Sequence, residues 1–202
     1  MFKVTLKLII SVLFILVSHA ASAEQIDTKN PYNLVKSLGE KVFEAVAEIK
    51  SSDNASTEQM ETLIEDMLMP YIDVPFASYK VLGSQLKKTN KEQRQDFIEA
   101  MKIDLIKTYS SALEQYDDQY VTYEPSKDTS AKKMVSVKTI LQSPNAPNVD
   151  MTFKLRKNRK TGDWRAYDLV VEGISLIDSK RAELAKPLRD KGVNHVIALI
   201  NN

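Results

Sequence analysis

Residues 163–177 read "DWRAYDLVVEGISLI". Taken with a period of two, Tyr167, Leu169 and Val171 form one row, and Trp164, Ala166, Asp168, Val170 and Glu172 form the other, which mixes apolar groups with carboxylates. The neighbouring stretches decide which row faces a core. "KKMVSVKTIL" (132–141) puts Val135, Val137, Thr139 and Leu141 on one face and Lys132, Met134, Ser136 and Lys138 on the other. "VDMTFKLRKN" (149–158) puts Val149, Met151, Phe153 and Leu155 opposite Thr152, Lys154 and Arg156. One sheet face is therefore apolar and the other basic. Joining Tyr167, Leu169 and Val171 to the apolar face sends Asp168 and Glu172 to the basic one, where Lys138, Lys154 or Arg156 can pair with them across strands. The reverse register would bury two carboxylates without partners, at several kcal/mol.

Working outward, "YVTYE" (120–124) adds a first strand, and the connections are a Pro/Asn-rich loop at 143–148 and a tight turn at Lys160-Thr161-Gly162. Short connections make the four strands an antiparallel meander. The chain before them is helical. Asn30-Pro31 caps a helix to about Lys50, and Ser56 with Gln59 forms a capping box for a second helix that stops near Pro70. Asp73 caps Val74 to Leu82, ended by Gly83, and Thr89 with Glu92 opens a long helix to about Tyr116. After Ile177 the pattern is helical again, broken at Pro187 and Gly192. The predicted class is α+β: a helical N-terminal half packed on a curved antiparallel four-stranded sheet, followed by C-terminal helices.

The first residues set the compartment. Met1 to Ala23 carries two lysines, an apolar run from Leu8 to Val17 and the small-residue site Ala21-Ser22-Ala23, the pattern of a secretory signal peptide cleaved after Ala23. The run is too short to cross a bilayer, which needs ~20 residues. Residues 24–202 then form one domain. Loss of Lys3 and Lys7 turns a formal net charge of +1 into about −1, so no bulk polyanion is the partner. There is no cysteine, so an exported chain here folds without disulfides. Five glycines among 202 residues disfavour a Gly-rich phosphate loop.

Catalytic signatures are thin. Cleavage removes His19 and leaves His195 alone, which supports neither a Ser-His-Asp set nor a clustered metal site. Asp168 beside Tyr167 could be an acid/base pair, but an exposed ladder carboxylate is the better reading. The reading is a protein that is not an enzyme and needs no cofactor.

Four blocks carry a family likeness: "NPYNLV" (30–35), "LMPYIDVPFASYKVLG" (68–83), "QRQDFIEAMKIDLIKTYSSAL" (93–113) and "RKNRKTGDWRAYDLVVEGISLI" (156–177). In order and over nearly the whole mature chain, they resemble the MlaC family of periplasmic phospholipid shuttles, also known as toluene-tolerance proteins. The resemblance implies a nuclear-transport-factor-like fold with a deep apolar cavity that holds glycerophospholipid acyl chains. It also implies support of outer-membrane lipid asymmetry and two partners: an inner-membrane ABC transporter complex with its periplasmic lipid-binding subunit, and an outer-membrane lipoprotein associated with porins.

A diacyl lipid has roughly 30 methylenes, and exposing them to water would cost on the order of 20 kcal/mol. A carrier must enclose both tails in a charge-free lining. Met67, Val74, Phe76, Leu82, Phe97, Met101, Leu105 and Tyr109 from the helices and Val137, Thr139, Met151, Phe153, Tyr167, Leu169 and Val171 from the sheet could supply it. The same stripes would also make a filled core. On the basic face, Lys138, Lys154, Arg156 and Lys157 are candidates for docking an acidic partner. A small-molecule enzyme or a polypeptide-binding protein on the same fold remains the alternative.

Overall fold

The computed structural model describes residues 26–116, 118–144 and 146–201; the expected signal peptide, Met1–Ala23, lies outside them. Asn30 opens α1 (Pro31–Ser51) by accepting hydrogen bonds from the backbone N–H groups of Tyr32 and Asn33. The capping box of Ser56 and Gln59 starts α2 (Thr57–Leu63). The helical path to Pro70 changes pitch on the way: Ile64–Leu68 is a π turn and Met69–Tyr71 a 3-10 turn. Pro70 has no N–H for the carbonyl one turn back, and the ladder widens just ahead of it. Asp73 caps α3 (Val74–Leu82) by accepting from the N–H of Phe76, and Gly83 ends the helix at a φ of 52°.

The long helix α4 (Lys91–Glu114) begins one residue later than expected. Asn90 and Gln93 form its capping box, because the Thr89 hydroxyl already donates to the Leu86 carbonyl and accepts from Arg94 Nε.

The four expected strands are β1 (Tyr120–Tyr123), β2 (Met134–Gln142), β3 (Val149–Lys157) and β4 (Trp164–Val171), antiparallel in chain order. A fifth, unexpected strand, β5 (Ile174–Ser175), pairs with Val170 and Val171. Glu172 and Gly173, at φ 49° and 79°, make the two-residue turn before it, as a type I′ hairpin requires. Then follow α5 (Leu176–Lys191) and α6 (Val193–Asn201), separated at Gly192. Pro187 does not break the chain as expected; it lies inside α5. The hydrogen bond it forgoes belongs to the carbonyl of Glu183, an exposed residue that water can serve.

Register confirms one half of the 163–177 reading and corrects the other. Lys154 faces Asp168, Phe153 faces Leu169 and Met151 faces Val171. Between Lys154 and Leu155 the register shifts, so that Tyr167 is the extra residue of a β-bulge and Leu155 faces Ala166. Strict alternation puts Trp164 and Ala166 outside with Asp168. The bulge returns them to the core face, where Trp164 is completely buried. Tyr167 packs instead against the helices and meets Phe76 edge-on, with ring centroids 5.0 Å apart.

Two buried clusters result. The first joins α1, α2 and Ile64 to the sheet through Val137, Leu155 and Trp164. The second lies among α3, α4, α5 and α6, around Val81, Phe97, Met101, Leu184 and Val196. Helix α4 serves both, with Ile106 in the first and Phe97 in the second.

Candidate functional site

The core face of the sheet is built of cross-strand rows. Leu155 and Ala166 share one, followed by Val137–Phe153–Leu169, then Tyr123–Thr139–Met151–Val171, then Val121–Leu141–Val149. On β3 and β4 burial falls along this series, while on β2 Val137 and Thr139 stay buried at 1% and 2% exposure. Leu155 is 0% exposed, whereas Phe153, Leu169, Met151, Val171, Leu141 and Val149 are only half-buried. Among the described residues, Met151, Leu169 and Val171 pack against neither buried cluster. A period-two apolar surface made of facing pairs, Met151 with Val171 and Phe153 with Leu169, is thus left partly uncovered where a filled core would close it.

From α4, Leu105 and Tyr109 pack against the first cluster, which includes Val137 and against which Phe153 also packs. Burial pushes the Tyr109 phenol up to about 12, and the negative charge of Asp168 adds to the shift. At neutral pH the phenol is uncharged, as a lining for alkyl chains needs.

Behind the surface Asp168 ties the sheet to α5. Its carboxylate accepts from Lys154 Nζ at 2.9 Å, Ser175 Oγ at 2.8 Å and the Ile177 N–H at 3.2 Å. With three donors filling it, Asp168 is a structural tie, not a free base. Its hydrogen bond to Lys154 raises the lysine's pKa, against a smaller lowering by burial. An open cleft of about 620 Å³ lies outside β4, lined by Lys154, Val170, Ile174, Ser175 and Asp178 among others. Charges of both signs in an open mouth do not suit alkyl chains; the uncovered core face does.

The structure brings Val137, Thr139, Met151, Phe153, Leu169 and Val171 together on this face. Val74 is buried in the first cluster, and Met67 packs against it with Leu105 and Tyr109. Leu82, Phe97 and Met101 are placed elsewhere, in the helical cluster. Phe76 and Tyr167 form their own contact, with the Arg156 guanidinium 4.2 Å from the Phe76 ring centroid. Val121, Leu141 and Val149 belong to the uncovered face but were not among the candidates; their signal was the same alternation, read to the end of each strand.

Of the basic residues, Lys138 is exposed on the outer face. Lys154 is held by Asp168, and Arg156 is paired with Asp73. Lys157 lies on the core side of the bulge, its Nζ 5.2 Å from the Trp164 ring. Among the described residues no group of His, Cys, Asp or Glu could hold a metal ion, and no helix is long and apolar enough to cross a membrane.

Comparison with known proteins gives a consistent result. The family model for MlaC protein matches residues 36–202. The intermembrane phospholipid transport system binding protein MlaC of Haemophilus influenzae is 26% identical over 185 residues, covering 91% of this chain and 86% of that protein. The toluene tolerance protein ttg2D of Pseudomonas putida is 26% identical over 144 residues, covering 71% of this chain and 64% of that one. A phospholipid-binding protein from Ralstonia solanacearum, solved in complex with a phospholipid, shares the fold with a TM-score of 0.70 at 20% identity, over 83% of this chain and 94% of that one.

Proposed function

The chain belongs to the MlaC family, and on that premise we propose that it is a phospholipid-binding shuttle which takes up the acyl chains of a glycerophospholipid against the core face of its sheet. The observation that carries this reading is the half-buried pair Met151–Val171 beside Phe153–Leu169, an apolar surface for which the protein's own side chains supply no full cover. Transfer of alkyl chains onto such a surface is favourable by about 0.8 kcal/mol per methylene. Asp168, on the opposite face and bound by Lys154, and the uncharged Tyr109 put no ionised group on it. The name of the Haemophilus relative, a phospholipid transport system binding protein, supports the same role.

The working compartment in this reading is the periplasm, reached by the signal at Met1–Ala23. The chain is a carrier and not an enzyme, and its phospholipid is cargo with no cofactor beside it. It shuttles between an inner-membrane ABC transporter complex with a periplasmic lipid-binding subunit and an outer-membrane lipoprotein associated with porins, and so supports outer-membrane lipid asymmetry. Docking to them uses exposed outer-face charge such as Lys138, since Lys154 and Arg156 are engaged within the fold.

Organic extraction of the gently purified protein followed by mass spectrometry tests the central claim. Stoichiometric glycerophospholipid is expected. Its absence, with the protein folded, would return the choice to an enzyme or a polypeptide binder on this fold.

A further inference from the structure

Where β2 is still covered, the core face of the sheet holds one polar group left without a partner among the described residues. Thr139 is 2% exposed, and its Oγ1 makes no hydrogen bond among the described residues. It stands in an otherwise aliphatic row of β2, with Val135, Val137 and Leu141 at the alternate positions. A valine would fill nearly the same volume without the desolvation cost of a lone hydroxyl. The other orphaned buried groups among the described residues are Ser78 Oγ and Trp164 Nε1, and neither residue belongs to the rows of half-buried side chains on β3 and β4. Thr139 alone of the three faces Met151 in the sheet register, and an unbranched methionine can swing aside to uncover it.

The position of the hydroxyl limits what could meet it. One row outward, Leu141 and Val149 are half-buried at the open end of the face; one row inward, Val137, Phe153 and Leu169 begin the apolar floor. A ligand group reaching Thr139 must therefore accept a hydrogen bond, be neutral enough to leave water, and sit where alkyl chain begins. A phosphate fails the second condition, because burying its charge without a counter-ion costs far more than one hydrogen bond returns. A carboxylic ester carbonyl meets all three.

Resting on the carrier reading above, we propose that Thr139 Oγ1 donates a hydrogen bond to an ester carbonyl of the bound lipid, so that the protein distinguishes ester-linked from ether-linked tails. The tails then run from the row of Thr139 over Phe153 and Leu169. Thr139 is a specificity residue in this scheme, and the apolar face supplies the bulk of the affinity.

Delipidated protein is incubated with vesicles of equal parts diacyl and dialkyl-ether phosphatidylethanolamine, reisolated, and its bound lipid quantified by mass spectrometry. Wild type is expected to favour the diester by a factor of about three to ten, the range of one net hydrogen bond. Thr139→Val should reduce that preference to near one while melting at or above the wild-type temperature, and Thr139→Ser should restore it. Differences in how the two lipids leave the vesicle cancel, since all three proteins draw on the same mixture. A wild type without preference overturns the proposal even if the valine variant does not fold, and so does a Thr139→Val variant that keeps the full preference, as it would if only water served the hydroxyl. Capture of neither lipid sinks the carrier reading and this inference with it; capture of both at one ratio by all three proteins sinks the inference alone.

Discussion

Lys154 and Asp168 face each other across β3 and β4 with 2.9 Å between Nζ and Oδ2, and the Asp168 side chain is 2% exposed against 33% for Lys154. The pair is asymmetric: the carboxylate is inside and the ammonium can reach water. Asp168→Ala strands the Ile177 N–H at the start of α5 and frees Ser175 Oγ but leaves only Lys154, which can rehydrate, so it should cost about 1–2 kcal/mol. Lys154→Ala should cost more, about 3 kcal/mol or above, because it leaves the buried carboxylate without its counter-ion and the two remaining neutral donors offset only part of that. Urea denaturation of the two variants orders them, and equal losses would contradict the asymmetry.

Alkaline pH is a second probe. Burial raises both the Tyr109 and the Tyr123 phenols to about 12, with Asp168 and Glu40 respectively adding to the shift. A folded-state pKa above the unfolded value near 10 means stability that is whole below pH ~10 and lost as pH rises from there through 12. Tyrosinate absorbance and circular dichroism should change together in that window. Tyr109→Phe should move the transition to higher pH, and an unmoved transition would mean that its phenol titrates freely.

How much of this was legible in the sequence follows from which signals are local. Asn30, Ser56 and Asp73 cap their helices as read, because a cap is decided within four residues. Alternation in β2 and β3 placed Val137, Thr139, Met151 and Phe153 together correctly. The bulge at Tyr167 left only a trace, the row that mixes Trp164 and Ala166 with Asp168, because an extra residue is defined only against the partner strand. Strand β5 was missed since Glu172-Gly173 is a weaker turn signal than Asn-Gly and the strand has only two residues. Periodicity marks Phe97 and Leu105 alike as apolar on α4. Only packing shows that one is enclosed by helices and the other lies beside the sheet.

Gly39 reports on how α1 meets the sheet. A Cβ there would collide with the Tyr123 hydroxyl. Gly39→Ala should therefore destabilise by about 1–2 kcal/mol despite a helix-propensity gain near 0.8 kcal/mol. Adding Tyr123→Phe removes the colliding oxygen. The double variant should be more stable than the sum of the singles by about 1 kcal/mol, measured by thermal unfolding; simple additivity would place the clash elsewhere.

Charge reversals should separate docking from folding. Arg156 pairs with Asp73 and stacks on Phe76, so Arg156→Glu should loosen the start of α3 and lower the melting temperature. Lys138→Glu, on the exposed outer face, should lower melting less than Arg156→Glu, with Glu124 as its charged neighbour, and slow association with an acidic membrane partner at low salt only. Stopped-flow association at two ionic strengths reads this out. A wild-type rate at low salt for Lys138→Glu would exclude that surface as the docking face.

Adjacent residues of β4 give the sharpest test of the site. Val171 faces Met151 on the uncovered core face, whereas Val170 faces Thr152 and lines the outer cleft with Ile174 and Lys154. Val171→Glu puts a carboxylate where acyl chains would lie, and it must either remain ionised at several kcal/mol or take up a proton. Bound lipid should fall sharply. Because Val171 packs against neither buried cluster among the described residues, the empty face can admit water, and a cooperative melt should survive. Val170→Glu places the same charge in an open, partly basic cleft, where it stays hydrated and lipid should be retained. Lipid extraction and thermal unfolding of the two variants decide the matter together. Loss of lipid from Val170→Glu with retention in Val171→Glu would move the site to the outer cleft, and unfolding of Val171→Glu would show that this position is filled core.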